Sequence, residues 1–217
     1  MKERFTEIVF ILDKSGSMHG LEKDTIGGFN SLIQKQKKED GKVIVSTVLF
    51  DDESYVIHDR IDIENIKPLT EKEYYAGGST ALLDAVGGAI NHIGHIHKHS
   101  RKQDIPDKTM FIIMTDGCEN ASYMYSYRKV KRLIRNQKEK YEWEFLFLGA
   151  NIDSISEAKK YGIDADMAVE YNCDSAGTAL NYEVLSDAIT DVRNCVPMSA
   201  GWKKRIEEDR KSRRSED

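Results

Sequence analysis

Short blocks of apolar residues alternate along the chain with longer segments in which apolar residues recur every three or four positions. Four blocks are nearly continuous, as is typical of strands covered on both faces of a sheet. They are Glu7–Leu12, Val43–Phe50, Thr109–Met114 and Glu144–Gly149. Tyr55–Ile63 alternates apolar and polar residues instead, which indicates a half-exposed edge strand. Met167–Glu170 is a weaker block and the last predicted strand.

Apolar residues at helical spacing predict five helices between and after these strands. They are Leu21–Lys38, Ala81–Ile96, Tyr125–Lys140, Ser154–Tyr161 and Ser175–Cys195. This alternation predicts an α/β fold with a doubly wound, Rossmann-like and mostly parallel sheet of about six strands, flanked by helices on both faces. Asp51 and Asp52 read as a turn, so Tyr55–Ile63 should form a hairpin with the strand before it and be the one antiparallel edge strand.

The composition fits one large domain, because the chain has 217 residues, of which 40% are hydrophobic and 32% charged. The formal net charge of −5 makes a nucleic-acid partner a poor expectation, because such binding depends on neutralising phosphates. No apolar run approaches the roughly 20 residues that a membrane helix needs, so no membrane partner is expected.

The compartment is predicted from the first residues and the cysteines. The apolar block Ile8–Leu12 is too short for a signal peptide and is followed by no small-residue cleavage site. Cys118, Cys173 and Cys195 are scattered and match neither a disulfide framework nor a zinc site. We therefore expect a cytoplasmic protein with reduced thiols.

The last nineteen residues differ in character from the rest. Residues 199–217 contain seven basic and five acidic residues, and no apolar residue follows Trp202 and Ile206. We predict a folded domain over residues 1–198 and a solvated charged tail or frayed helix over 199–217. A basic arm for an acidic partner is the alternative.

Oxygen-bearing side chains cluster where two predicted strands end. Asp13, Ser15 and Ser17 follow the first strand directly, and Asp116 follows the strand Thr109–Met114. Thr80 lies in a Gly-Ser-Thr segment that precedes a helix. Because ligands of open α/β sheets bind at the carboxyl ends of the strands, we expect these five side chains to lie together.

The chemistry that suits such a set is a hard divalent cation, since Mg²⁺ prefers oxygen ligands and usually keeps several waters. One carboxylate in each flanking loop holds an ion without saturating its charge. An acidic ligand from outside therefore stays attractive, so the predicted site is a docking point.

These segments resemble the metal-ion-dependent adhesion site (MIDAS) of von Willebrand factor type A domains, and the resemblance extends over residues 7–195. It implies that Ser15, Ser17 and Thr80 ligate Mg²⁺ or Mn²⁺ through hydroxyls, and that Asp13 and Asp116 act directly or through water. All five positions carry the family's residue types.

The resemblance also implies a function and a class of partner. Family members usually bind an Asp or Glu side chain of a protein partner as the last metal ligand, and catalysis is not their usual role. Stand-alone intracellular members often work beside AAA+ ATPases or in multi-protein assemblies. We expect a Mg²⁺-dependent protein-binding module that is not an enzyme.

Two other functions are alternatives. A metal-dependent phosphohydrolase of the haloacid-dehalogenase type would use Asp13 but needs a second aspartate where Ser15 stands. No P-loop and no dinucleotide-binding fingerprint is present in the sequence. The remaining alternative is a metal-independent structural or assembly subunit.

Several residues outside the motif invite two interpretations each. His92, His95 and His99 would share a helix face and could bind a transition metal, or they form a polar helix end. The acidic run at 51–53 is a second cation site or a hairpin turn. Lys14 and His19 are expected to face solvent beside the metal.

Two more features lie close to Asp116 in the sequence. Cys118 is a reactive thiol near the metal or a small loop residue. The run Tyr123–Tyr127 is an aromatic rim for a partner or covers the sheet edge.

Overall fold

A computed structural model of the chain describes residues 4–214, which contain six strands and six helices. The strands are β1 (Phe5–Asp13), β2 (Lys42–Phe50), β3 (Ser54–Asp62), β4 (Lys108–Thr115), β5 (Glu144–Ala150) and β6 (Ala168–Tyr171). The helices are α1 (Glu22–Gln36), α2 (Leu82–His99), α3 (Tyr127–Tyr141), α4 (Ser154–Tyr161), α5 (Ser175–Arg193) and α6 (Lys204–Arg214).

The six strands form one sheet in the order β3-β2-β1-β4-β5-β6. Every neighbouring pair is parallel except β2 and β3, which pair antiparallel at one edge. The predicted doubly wound, mostly parallel sheet with one antiparallel edge strand is therefore confirmed. The strand order reverses direction between β1 and β4, and the loops that leave these two strands diverge to open a crevice.

The sheet is covered on both faces, each by its own hydrophobic cluster. On one face, Phe10 of β1 packs edge-to-face against Phe29 of α1, with ring centroids 5.3 Å apart, and α5 completes this layer. On the other face, α2, α3 and α4 cover Phe111 and Phe147. Double coverage explains why β1, β4 and β5 read as continuous apolar runs.

Over 199–217 we expected a solvated tail or a frayed helix; the described part is helical, but it packs on the domain and is not solvated. Residues 200–203 form a 3₁₀ turn that leads into α6. The side chain of Ile206 is 2% exposed and joins the same cluster as α5. Trp202 packs against this cluster, and its indole Nε1 donates to the carbonyl of Asp166 at 2.8 Å.

A buried lysine holds the start of α6. The ammonium of Lys203 donates to the carbonyls of Ala165 and Ala168 at 2.7 and 2.8 Å. The small number of apolar residues gave no indication that this segment packs on the domain. Its lysine and arginine side chains also cover the body of the domain. The domain therefore continues beyond residue 198, and only residues 215–217 of the predicted tail lie outside the described range.

No helix within residues 4–214 combines the length and the apolar character needed to cross a membrane.

Candidate metal centre

Three loops meet at the carboxyl ends of β1 and β4. Asp13 is the last residue of β1, Asp116 directly follows β4, and Thr80 lies two residues before α2. The parallel pairing of β1 with β4 aligns Leu12 with Met114, which places the two aspartates at the same edge of the sheet. The placement follows from register alone, because strands that pair in parallel end on the same side.

Backbone hydrogen bonds tie the three loops to one another. The N–H of Gly16 donates to the carbonyl of Gly78 at 3.0 Å, and the N–H of Gly77 donates to the carbonyl of Lys14 at 2.9 Å. On the other side, Asn120 donates its N–H to the carbonyl of Thr80 at 3.0 Å and accepts from the N–H of Thr80 at 2.8 Å. These hydrogen bonds therefore fix the positions of the three loops relative to one another.

The predicted hydroxyl ligands converge between the two aspartates. Ser15 Oγ and Ser17 Oγ lie 3.2 Å apart, and Ser17 Oγ donates to Asp116 Oδ1 at 2.6 Å. A Cβ on Gly117 would lie 3.2 Å from Thr80 Oγ1 and 3.5 Å from Ser17 Oγ, so both hydroxyls face the same small space. All five residues singled out in the sequence border one crevice.

Asp13 is the buried end of the site, with only 1% of the residue exposed. Its Oδ1 accepts from the N–H of Ser15 at 2.7 Å, and its Oδ2 accepts from the hydroxyl of Thr115 at 2.5 Å. Burial raises the pKa of Asp13 to about 6, and the charge of Asp116 adds to the increase. Burial also raises the pKa of Asp116.

Two aspartates with raised pKa values and three hydroxyls form a donor set that suits a hard divalent cation. A cation would offset the cost of burying these carboxylates, since opposite charge favours the ionised form. The residues present therefore fit Mg²⁺ or Mn²⁺ chemically.

The crevice needs a glycine at position 78. Gly78 has a φ of +75°, and a Cβ there would lie 2.6 Å from Asp52 Oδ2. The carboxylate of Asp52 accepts from the N–H of Ser79 at 2.9 Å and so holds the loop that carries Thr80. The acidic run at 51–53 is thus a structural turn.

Comparison with protein-family models and with curated proteins finds no match for this chain. Solved structures do match over most of its length. They include a von Willebrand factor type A protein from Catenulispora acidiphila, with 18% identity over 85% of this chain and a TM-score of 0.57. The vWF domain of the type V pili tip protein Mfa5 from Porphyromonas gingivalis matches with 12% identity over 87% of this chain and a TM-score of 0.60. The chain has the von Willebrand factor type A fold.

A third match is proximal thread matrix protein 1 from the mussel byssus, described with a zinc-occupied MIDAS motif, with 13% identity over 87% of this chain and a TM-score of 0.57. This chain spans 48% of that protein and 42% of the Catenulispora protein, but 96% of the Mfa5 domain. Identities this low establish the vWA fold, and the chemistry of the site rests on this chain's own residues.

Lys14 does not face solvent beside the metal, contrary to the expectation from sequence. Its side chain is buried, and its ammonium forms an ion pair with Asp51. It also lies over the rings of Tyr55 and Tyr75, 4.6 and 4.5 Å from their centroids. Lys14 therefore connects the loop after β1 to the loop after β2 in this vWA fold. The side chain of His19, in contrast, is exposed as expected.

Tyr74 contacts the backbone of Asp13 and was not identified from the sequence. Its hydroxyl donates to the carbonyl of Asp13 at 2.5 Å, and the residue is fully buried. The only sequence signal was an aromatic residue in a long loop.

Two carboxylates that the sequence did not single out order the loop after Asp116. Asp84 accepts from the backbone N–H groups of Tyr123, Met124 and Tyr125 at 2.8–3.2 Å. Glu119 accepts from the N–H groups of three further residues, Leu83, Ala121 and Ser122, at 2.7–3.0 Å. The aromatic rim beside the site is therefore rigidly positioned.

Cys173 also borders the site, although the sequence gave no reason to place it there. Its Sγ lies 3.9 Å from Asp116 Oδ2, and burial together with the nearby carboxylate raises its pKa to about 11. This thiol is therefore neutral at physiological pH. Cys118, by contrast, is exposed in the loop after β4.

A polar groove of about 1000 Å³ continues from Cys173 across the ends of β5 and β6 to α6. Arg210 and Arg213 of α6 form its far wall, and they pair with Glu170 and Asp174 respectively.

The histidines of α2 do not converge on one point. His92 pairs with Asp59 at 2.8 Å, whereas His97 is buried and contacts Glu7 Oε2 at 2.5 Å. The rings of His95 and His99 pack together with centroids 4.3 Å apart. Across residues 4–214, no group of three or more His, Cys, Asp or Glu side chains is placed to hold a metal, which favours the interpretation of a polar helix end.

Proposed function

We propose that this chain is a protein-binding module that uses Mg²⁺ or Mn²⁺ at an intact MIDAS to bind an Asp or Glu side chain of a protein partner. The observation that carries the proposal is the convergence of three hydroxyls and two carboxylates from three loops on one crevice. Ser15, Ser17 and Thr80 would hold the ion directly, with Asp13 and Asp116 ligating directly or through water.

The charge balance favours capture of an acidic group. When both aspartates are ionised, they balance a divalent cation without making the site anionic. A cation with neutral hydroxyl ligands on its open side attracts a further carboxylate, and Mg²⁺ readily exchanges some of its waters for one. The rigid ties between the three loops keep this open side formed before a partner arrives.

Binding is favoured over phosphoester hydrolysis. The position two residues after Asp13 is Ser15, so the second carboxylate that would act as general acid is missing there. Steady turnover of a generic phosphoester by the Mg²⁺-loaded protein would contradict this part of the proposal.

The proposal includes an intracellular, stand-alone module in the cytoplasm. Its support is the set of three cysteines, all of which are free thiols. AAA+ ATPases and multi-protein assemblies are the first partners to screen.

The metal site is tested by thermal unfolding of metal-stripped protein titrated with Mg²⁺ and Mn²⁺. A ligand that binds only the folded state raises the unfolding temperature in a saturable way. We expect this rise in the wild type and its loss in Thr80→Val, which removes a hydroxyl while keeping the side-chain volume. Asp104→Ala, which removes an exposed carboxylate elsewhere, serves as the matched control and should behave as the wild type.

A wild type that shows no shift with either cation would contradict the metal site and favour a structural subunit. Capture of a partner from a cell extract should be lost both with EDTA and with Thr80→Val. Equal capture by the wild type and Thr80→Val would contradict metal-dependent binding.

A further inference from the structure

Helix α3 presents a strongly basic outer face. Its buried side consists of Val130, Ile134 and Gln137, which pack toward the sheet. The helix carries seven basic residues and one acidic residue, Glu139. The basic residues are Arg128, Lys129, Lys131, Arg132, Arg135, Lys138 and Lys140. The chain as a whole has a net charge of −5, so this positive charge is segregated on one helix.

Most of the basic residues of α3 that form no ion pair within the described residues lie in its first turns. Arg135 pairs with Glu139 at 2.7 Å, and Lys138 pairs with Asp164 at 2.5 Å. Within residues 4–214, no ion pair is formed by Arg128, Lys131 or Arg132, and all three are exposed. Their spacing of three and four residues places them on one side of the helix.

An exposed aromatic and thioether platform connects these residues to the metal crevice. Tyr123 is 81% exposed and Met124 is 56% exposed, and both lie in the loop that runs from Asp116 to α3. Three hydrogen bonds from their backbone to Asp84 fix the platform, so little ordering is required when a partner binds. Crevice, platform and basic turns therefore follow one another along one loop and helix.

We infer that Tyr123, Met124 and the basic first turns of α3 form a second docking surface for an acidic segment of a protein partner. The inference rests on the proposed function only for the carboxylate that reaches the metal. Beyond the metal, acidic side chains of the same partner contact Arg128, Lys131 and Arg132, and apolar parts cover the platform. Complementary charge of this kind accelerates association and selects the partner.

An acidic protein is favoured over a nucleic acid by the charge of the remaining surface. Outside α3 the chain carries an excess of negative charge, which opposes an extended polyanion more than a short acidic segment. A short acidic protein segment meets only the basic turns and the crevice.

The test measures binding of a fluorescent polyglutamate peptide in Mg²⁺ and in EDTA. The variant Arg128→Glu/Arg132→Glu reverses two unpaired charges of α3. The control Lys35→Glu/Lys38→Glu makes the same charge change on exposed residues at the end of α1, on the opposite face of the sheet. All four side chains are exposed, so both variants should fold.

We expect the α3 variant to bind polyglutamate about tenfold or more weakly in both buffers, and the control variant within about twofold of the wild type. Thr80→Val should lose only the increment that Mg²⁺ adds. If Mg²⁺ does not increase the affinity of the wild type but the α3 variant still binds more weakly, the metal site is contradicted. The proposed α3 surface is then still supported.

Two results would overturn the inference. One is an equal loss of affinity in the α3 and control variants, which would show a non-specific charge effect. The other is tighter binding of a single-stranded oligonucleotide than of a polyglutamate peptide of the same charge, which would make the face a nucleic-acid surface.

Discussion

The carboxylate of Asp13 is buried beside a second carboxylate, and its charge is costly without a cation. Its pKa is raised to about 6, mainly by burial. Because the folded-state pKa lies above the unfolded value, the proton stabilises the folded protein below the unfolded pKa, and this contribution is lost as the pH rises through about 6. The metal-free protein should therefore be less stable at neutral pH than in mild acid for this reason.

Comparison with Asp13→Asn cancels the contributions of titrating groups that do not interact with Asp13. Between about pH 4 and pH 7.5, the metal-free wild type should lose up to about 3 kcal/mol of unfolding free energy relative to the variant. Saturating Mg²⁺ at pH 7.5 should restore most of this loss in the wild type only. Urea unfolding at the two pH values measures both effects, and parallel pH curves for the two proteins would contradict the assignment.

The sequence was sufficient to identify the five residues that border the crevice, because all of them lie at strand ends or immediately before a helix. It was not sufficient for the residues that support them. Lys14 looked like an exposed loop residue, yet it pairs with Asp51 across two neighbouring strands. Tyr74 and Asp84 act on backbone groups about 40 to 60 residues away in the chain. Such contacts leave no periodic signal.

At the scale of elements, the strands and the first five helices agree with the apolar pattern to within a few residues, because each buries a continuous face. The largest displacement at a helix end is in α2, which continues to His99 rather than ending at Ile96. The added turn is polar and is held by hydrogen bonds such as Ser100 Oγ to the carbonyl of Ile96 at 2.8 Å. The packing of α6 against the domain was missed, although a frayed helix was one of the two forms expected, because one isoleucine, one tryptophan and several long cations do the packing.

Weakening the packing of α6 against the domain should lower the free energy of unfolding measurably. Ile206→Ala removes a buried side chain from the main cluster, and we expect it to lower the free energy of unfolding by about 2–4 kcal/mol. Ile155→Ala, in α4, is the matched control because that side chain is 48% exposed, and its effect should stay below about 1 kcal/mol. Equilibrium unfolding in urea compares them, and equal small effects would show that α6 does not dock in solution.

At the scale of the whole molecule, the two edges of the sheet are protected differently. Helix α6 packs beside β6, and Arg210 reaches back to Glu170 of that strand. The other edge strand, β3, pairs only with β2 within residues 4–214. Its pairing with β2 is irregular near Thr47, and Arg60 adopts a φ of +51°. An irregular, charged edge strand is a poor template for pairing with another chain.

The parallel pairing of β1 with β4 brings together residues about one hundred positions apart, such as Thr6 and Lys108. Contacts at such separation close slowly, because a long loop must be ordered before they form. The crevice between Asp13 and Asp116 therefore does not exist in a partly folded chain that lacks this pairing. We therefore expect a cation to bind only after the rate-limiting step of folding.

Mg²⁺ should therefore slow unfolding by the full factor by which it stabilises the protein and leave the refolding rate nearly unchanged. Stopped-flow refolding and unfolding with and without Mg²⁺ measure the two rates. A refolding rate that rises in proportion to the added stability would show that the three loops assemble early. The expected result makes the ion a determinant of how long the native state persists, with no part in how quickly that state is reached.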